Sequence, residues 1–364
     1  MKILKLKNLK ATNYLTKFDG LRGFFCLLVL IQHYHIFNLP PYISDSNFRY
    51  LSFIFVDYFF VLSGFVISLN YQFKLNTFNN LKEYLLKRFL RLYPLLFYTS
   101  IVYLFLLFLF EGFKNNYLTS FFSDIFFTSS FGLIPDDASV NGVTWSISSE
   151  IINYLLFGIL FYSVKKNSNR HLIILLVLFI ILIYFKSLNE ILFFSTHTLG
   201  WLRGLLGFFI GYFSQFLHRI CSKKLPHIFE YLFIIGLLYI FTFENYLTYP
   251  LNNLFLSIFI LAYFGLGLFI LANTNGILSK ILESNLFSFI GKISYSIYLN
   301  HMLILNFVMK PILDKLRLED NLLNQWSVLI STLLICIIYS NLTYSLIEMK
   351  FINYFGKYKR RIRR

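Results

Sequence analysis

Apolar runs about twenty residues long recur along most of this chain, separated by short polar stretches. A helix crossing the hydrocarbon core of a bilayer needs about 20 such residues. A soluble helix would keep a polar face, whereas most of these segments are apolar all round. Only 14% of the 364 residues are charged and 57% are hydrophobic. Soluble domains carry about 25% charged residues, so composition argues against a soluble fold.

The runs predict an all-α polytopic membrane protein, with about ten transmembrane helices around a buried polar cavity. The segments are 21–37, 51–72, 93–112, 148–164, 171–185, 198–217, 228–243, 251–272, 287–309 and 327–348. Segments 171–185 and 228–243 are short for a full crossing. Pro94 is expected to open the third helix, where its missing N–H costs nothing. The divisions are a basic N-terminal arm over 1–20, the membrane domain over 21–348 and a basic tail over 349–364. The lead from Lys2 to Lys17 shows no small-residue cleavage site.

The formal charge is +16. Nucleic acid is not the expected partner, because the basic residues lie in short loops and at the two ends. With ten spans, about twenty-five of them fall on the side that holds both termini and about six on the other. That asymmetry places both ends in the cytoplasm, with the lipid bilayer as the first partner. Trp145, Trp201 and Trp326 fall at the outer ends of spans, as interfacial anchors do. The longest piece between spans, 113–147, lies outside, with Asp124 in an apolar middle that is re-entrant or rests on the surface. Cys26, Cys221 and Cys336 are scattered, and no spacing points to a metal site.

Charged side chains near mid-bilayer cost about 2.5–3.5 kcal/mol on insertion scales, so each needs a partner, a wet cavity or a task. Here they are Arg22, His33 and His35 in the first span, Asp57 with Ser63 in the second, Glu150, Arg203 and His301. From the helical rise of about 1.5 Å per residue, His33, Asp57 and Glu150 share the outer half. Arg22, Arg88 and Arg91 lie at the inner edge. An imidazole beside a carboxylate suits proton removal from a hydroxyl. Arginines at the inner face suit a polyphosphate. Plainer readings stand beside these. Arg88 and Arg91 also fit as positive-inside anchors, and Asp57 as a helix-pairing partner of His33 or Arg203. His35 reads best as a helix-to-helix hydrogen bonder, and Trp145 as a belt residue. A transporter or exporter of a glycolipid or small organic acid has a similar polar interior, but no repeat of broken helices is seen. A non-catalytic scaffold or acyl-binding sensor is the remaining class.

Phe18-Asp19-Gly20-Leu21-Arg22-Gly23 followed by His33 resembles the opening motif of the acyltransferase type 3 family, the transmembrane O-acyltransferases. Arg22 and His33 have that family's ten-residue separation. Val56-Asp57-Tyr58-Phe59-Phe60-Val61-Leu62-Ser63-Gly64-Phe65 resembles its second-span signature. Lys87-Arg88-Phe89-Leu90-Arg91-Leu92-Tyr93-Pro94 resembles its arginine motif, and Thr144-Trp145-Ser146-Ile147-Ser148-Ser149-Glu150 its Trp-Ser…Glu motif. Ile293-Ser294-Tyr295-Ser296-Ile297-Tyr298-Leu299, then Asn300-His301, resembles its late Tyr-rich motif. The chain departs from the family at Ile151, where a second acid is common, at Asn300, where a Trp is common, and after Glu348, where a proline is common.

The resemblance implies an acyltransferase using acyl-CoA, in the first place acetyl-CoA, as donor and no metal. The acceptor is a sugar or polysaccharide hydroxyl of the envelope of a bacterial inner membrane. Arg88 and Arg91, with Arg22, would hold the CoA phosphates. His33 would be general base or transient acyl carrier, oriented by Asp57 or Glu150 as in catalytic triads. Ser63, Trp145 and Ser148 would shape the acceptor pocket. Some relatives carry a further extracytoplasmic domain, and the expectation here is a membrane part acting alone or with a separate partner.

Overall fold

The computed structural model describes residues 15–44, 54–133, 140–164, 169–188, 195–221, 223–242 and 254–354. These residues form helices and connecting turns, with no strand among them. The long helices are α1 (Thr16–Gln32), α2 (Phe55–Tyr71), α3 (Phe78–Glu111), α4 (Asn115–Ile125) and α5 (Thr144–Ser163). They continue with α6 (Asn169–Leu188), α7 (Gly200–Ile220), α8 (Ile228–Thr242), α9 (Leu254–Asn273), α10 (Asn285–Leu303) and α11 (Leu322–Thr343). The arm over residues 1–14 and the tail beyond 354 lie outside the described residues.

Each of the ten expected segments has a helix at its place. Six helices among the described residues are long and apolar enough to cross a bilayer: α3, α5, α6, α9, α10 with its continuation to Leu316, and α11 with its continuation to Tyr354. Helix α2 is apolar but short, as is the stretch Ile228–Ile240 of α8. Helix α7 carries Arg203, Gln215, His218 and Arg219.

Boundaries moved where polar residues hid helix or irregular backbone hid in apolar sequence. Helix α1 starts at Thr16 and ends at Gln32, so His33 is its C-terminal cap instead of an interior residue. The early start is held by Lys17, which is buried and donates to the Thr274 carbonyl at 2.6 Å. Helix α3 runs through Pro94 instead of beginning there. Its N-terminus is Thr77, whose side chain accepts from the Asn80 N–H. Its end is Gly112, at φ +80°, a conformation glycine adopts without a Cβ clash. At about 1.5 Å per residue its 34 residues span about 51 Å, well beyond a hydrocarbon core of about 30 Å.

Two helix pairs approach backbone to backbone. Helix α1 packs along α10, and α2 along α7. A methyl group built on Gly23 would come 2.6 Å from the Gly291 nitrogen. At Gly64 and Gly211 the carbonyls of Phe208 and Val61 occupy the place a side chain would take. In lipid, where tails are as apolar as leucine, such small-residue contacts supply the packing that holds helices together. Helices α5 and α9 also pack on α7, and α3 packs on α5 and α10. Outward-facing Phe105, Leu109, Leu175, Phe179 and Ile183 leave a wide apolar exterior, suited to lipid.

Candidate active site

Polar side chains from five helices meet in one cavity of about 780 Å³, counting the space open to the exterior. Arg22 of α1, Ser63 of α2, Arg88 and Arg91 of α3, Glu150 and Tyr154 of α5, and Tyr295 and Tyr298 of α10 line it. Val56, Phe59, Phe60 and Leu92 supply apolar walls. Glu150 accepts from Ser63 Oγ at 3.0 Å and from the Tyr154 hydroxyl. Ser63 and Tyr154 are themselves 2.8 Å apart.

Each arginine is held differently. Arg22 pairs with Asp19, one turn earlier on α1, at 3.0 Å. Arg88 donates to the Tyr71 hydroxyl at 3.2 Å and lies over the Tyr71 and Tyr154 rings, 5.3 and 5.9 Å from their centroids. Arg91 makes no ion pair or hydrogen bond with another side chain among the described residues, and it faces the cavity. Glu348, buried on the π-helical turn Tyr344–Glu348 after α11, accepts from Ser296 at 3.2 Å and lies within electrostatic range of Arg91. The lining thus holds three guanidinium groups and one carboxylate. Such a surplus of fixed positive donors suits an anionic ligand.

The expected grouping by depth does not occur. Glu150 sits with the arginines, not with His33. Asp57 faces α7, where Arg203 grips both its oxygens at 2.9 and 2.7 Å, with the two side chains 1% and 0% exposed. Helical rise fixes height, but the direction around the axis decides partners. The helix-pairing reading of Asp57 with Arg203 is the geometry found. Neither carboxylate reaches His33, so neither orients its ring here.

His33 instead meets a second imidazole. His301 Nε2 lies 3.2 Å from His33 Nδ1, and the ring centroids are 5.0 Å apart. Neither ring lines the cavity, but Tyr298, which does, has its ring 5.8 Å from that of His301. His35, expected to bridge helices, is exposed in the turn after α1, with Nδ1 2.7 Å from the His33 carbonyl.

Two expected acceptor-pocket residues are placed elsewhere. Trp145 is buried beneath the Arg203 guanidinium, 4.9 Å from its ring, and packs edge-on against Phe60, so it is no belt residue. Ser148 turns to Ser130, at 3.0 Å, and donates to the Phe127 carbonyl. The neighbour that does line the cavity is Ser146, bonded to the Tyr298 hydroxyl at 2.7 Å. Tyr154 also escaped the sequence reading, although its place one turn after Glu150 was a signal for it. The described part of the segment expected to be re-entrant or superficial forms α4 and turns that pack on α5. There Asp124 is buried and accepts from Thr144 Oγ1 at 2.5 Å. Among the described residues no cluster of His, Cys, Asp and Glu is arranged to hold a metal.

Residues 15–341 match the family model described as an acyltransferase domain. The chain belongs to the acyltransferase type 3 family. No curated protein and no solved structure gives a significant match. The match covers every helix that contributes to the cavity and stops before the end of α11 and Glu348. This acyltransferase is therefore an enzyme with membrane-spanning helices, and its activity requires an acyl donor and an acceptor.

Proposed function

We propose that this acyltransferase moves an acetyl group from acetyl-CoA to a hydroxyl of a cell-envelope sugar or polysaccharide precursor. It would do so as a ten-crossing protein of a bacterial inner membrane, with both termini cytoplasmic. The observation that carries the donor assignment is the cavity in which Arg22, Arg88 and Arg91 converge, with Arg91 making no ion pair or hydrogen bond with another side chain among the described residues. Guanidinium forks match phosphate oxygens in shape and charge. The clustering of basic loops on the side assigned to the cytosol supports entry of the donor from there.

His33 is the proposed base; its ring lies outside the cavity lining, beside His301, which neighbours the lining residue Tyr298. It takes the proton of the acceptor hydroxyl while that oxygen attacks the thioester carbonyl. The carbon–sulfur bond then breaks and the CoA thiolate leaves, with the proton passed on to the sulfur. A transient acyl group on His33 is the variant of this scheme with two transfers. Glu150, Ser63 and Tyr154 form the polar wall of the cavity, and the apolar walls keep water from the thioester. Trp145 and Ser148 support this arrangement from behind, through Arg203 and the 127–131 turn.

His33→Ala should abolish acetyl transfer from labelled acetyl-CoA to surface glycans with no change in membrane abundance. Retained transfer would end the base and carrier roles together. Arg91→Ala should raise the KM for acetyl-CoA by about tenfold or more, the loss of one charge-assisted contact. An unchanged KM would reduce Arg91 to a membrane anchor. Mass analysis of surface glycans with and without the gene would name the acceptor. Consumption of acetyl-CoA by the purified protein would separate it from a transporter.

A further inference from the structure

We infer that His301 is a positioning residue for His33. It accepts the Nδ1 proton of the catalytic ring and takes the place a carboxylate holds in other triads. The inference rests on His33 being the base. The argument starts from backbone carbonyls, which can only accept hydrogen bonds. His301 Nδ1 lies 2.6 Å from the Tyr298 carbonyl, so that nitrogen carries a proton. In a neutral imidazole the other nitrogen is then bare, and His301 Nε2 presents a lone pair. What faces that lone pair, at 3.2 Å, is His33 Nδ1.

His33 Nδ1 also lies 3.0 Å from the Val29 carbonyl, which again requires the proton on Nδ1. Two carbonyls on two helices thus set both tautomers, and the two assignments agree. His33 Nδ1–H is shared between Val29 and His301, and His33 Nε2 is left bare. The hydrogen bonds of the His33 ring among the described residues are both at Nδ1. A bare Nε2 is the atom a base needs. When it takes a proton the ring becomes an imidazolium, and its Nδ1–H then points at a lone pair and a carbonyl, both able to stabilise the charge.

The pair is framed by packing. His301 is 1% exposed and stands at the end of α10, with the π-helical stretch Ile304–Met309 beginning three residues later. Widened turns of this kind are frequent at functional sites. Among the described residues no carboxylate hydrogen-bonds either ring, so none takes the place of His301 at the His33 proton.

The test uses the full chain, in washed membranes for turnover and in phosphatidylethanolamine–phosphatidylglycerol nanodiscs for spectroscopy. The probe is labelled acetyl-CoA, with transfer to the membranes' own glycans as the readout. His301→Leu should lower turnover at saturating acetyl-CoA about tenfold to a hundredfold, the loss of one or two hydrogen-bond equivalents, and leave the KM for acetyl-CoA unchanged. His301→Gln, whose amide offers an oxygen near the place of Nε2, should recover most of that loss. In protein labelled with ¹⁵N-histidine, the His33 signals are those lost in the His33→Asn variant, and they should show the proton on Nδ1. Full turnover in His301→Leu, no recovery in His301→Gln, or a His33 proton on Nε2 would each overturn the assignment. If His33→Ala keeps activity, the base reading falls with it. If His33→Ala is inactive while His301→Leu works at full speed, only the role of His301 falls.

Discussion

Replacing Arg203 by methionine separates two roles that Asp57 can hold. The Asp57–Arg203 pair is bidentate and almost wholly out of solvent. Breaking such a pair strands one charge in a medium that cannot solvate it, at a cost of about 3–5 kcal/mol. At about 1.4 kcal/mol per factor of ten, that is two to three and a half orders of magnitude in the folded-to-unfolded ratio. Arg203 also stacks on Trp145, so its loss costs packing as well as charge. Asp57→Asn alone should be destabilising by a similar mechanism, with the guanidinium left behind. The double variant Asp57→Asn/Arg203→Met removes both charges and should regain most of the stability, because a neutral pair of similar volume needs no solvation. The assay is thermal unfolding in detergent together with membrane abundance, followed by acyl transfer. Recovery of both stability and transfer in the double variant would make Asp57 a helix clamp. Recovery of stability without transfer would return it to the chemistry. If either single variant unfolds at the wild-type temperature, the pair contributes nothing and the reasoning fails.

Other consequences are equally open to measurement. Gly64→Val pushes a branched side chain into the Phe208 carbonyl; with no flexible atom to yield, the cost should exceed the usual 1–3 kcal/mol of overpacking, seen as loss of monodisperse protein in detergent extracts, and an unchanged profile would refute the close approach. Burial pushes the Asp124 carboxyl up to about 7, and its Oδ2 has no partner among the described residues. The unfolded value is about 3.9, so the folded form binds the extra proton between these limits and stability should fall as pH rises from about 4 to about 7. Asp124→Asn should flatten that decline in thermal unfolding scans, and an identical slope would place its cause elsewhere.

The helices were legible because lipid demands apolar length, and apolar length is written in the residues. Their ends were less so. Thr16 and Lys17 look like solvent-exposed lead, yet Lys17 finds the Thr274 carbonyl, a partner 257 positions away. Pro94 resembles a helix start, but α3 carries through it. The Tyr295 hydroxyl donates to the nearby Leu92 carbonyl at 2.6 Å, tying α10 to this part of the helix. Arg22 and Glu150 stand out by their cost in lipid, and Arg88 and Arg91 by their place at the inner edge, but their meeting is not legible, since depth along an axis says nothing about facing. The sequence gives His301 no partner for the same reason. Only the packing of α10 on α1 brings it to His33.

That packing has a consequence for how the enzyme meets real membranes. One imidazole rides on α1 and the other on α10, and these two helices touch through Gly23 and Gly291 with no side chain between them. Bilayers vary in thickness, and proteins adjust by tilting or sliding whatever contacts are soft. A seam of bare backbone is the least compliant joint available, so the spacing of the two rings should survive a change of lipid that tilts α3, whose length exceeds the hydrocarbon core. Thin and thick bilayers would then alter access for the donor well before they alter proton transfer.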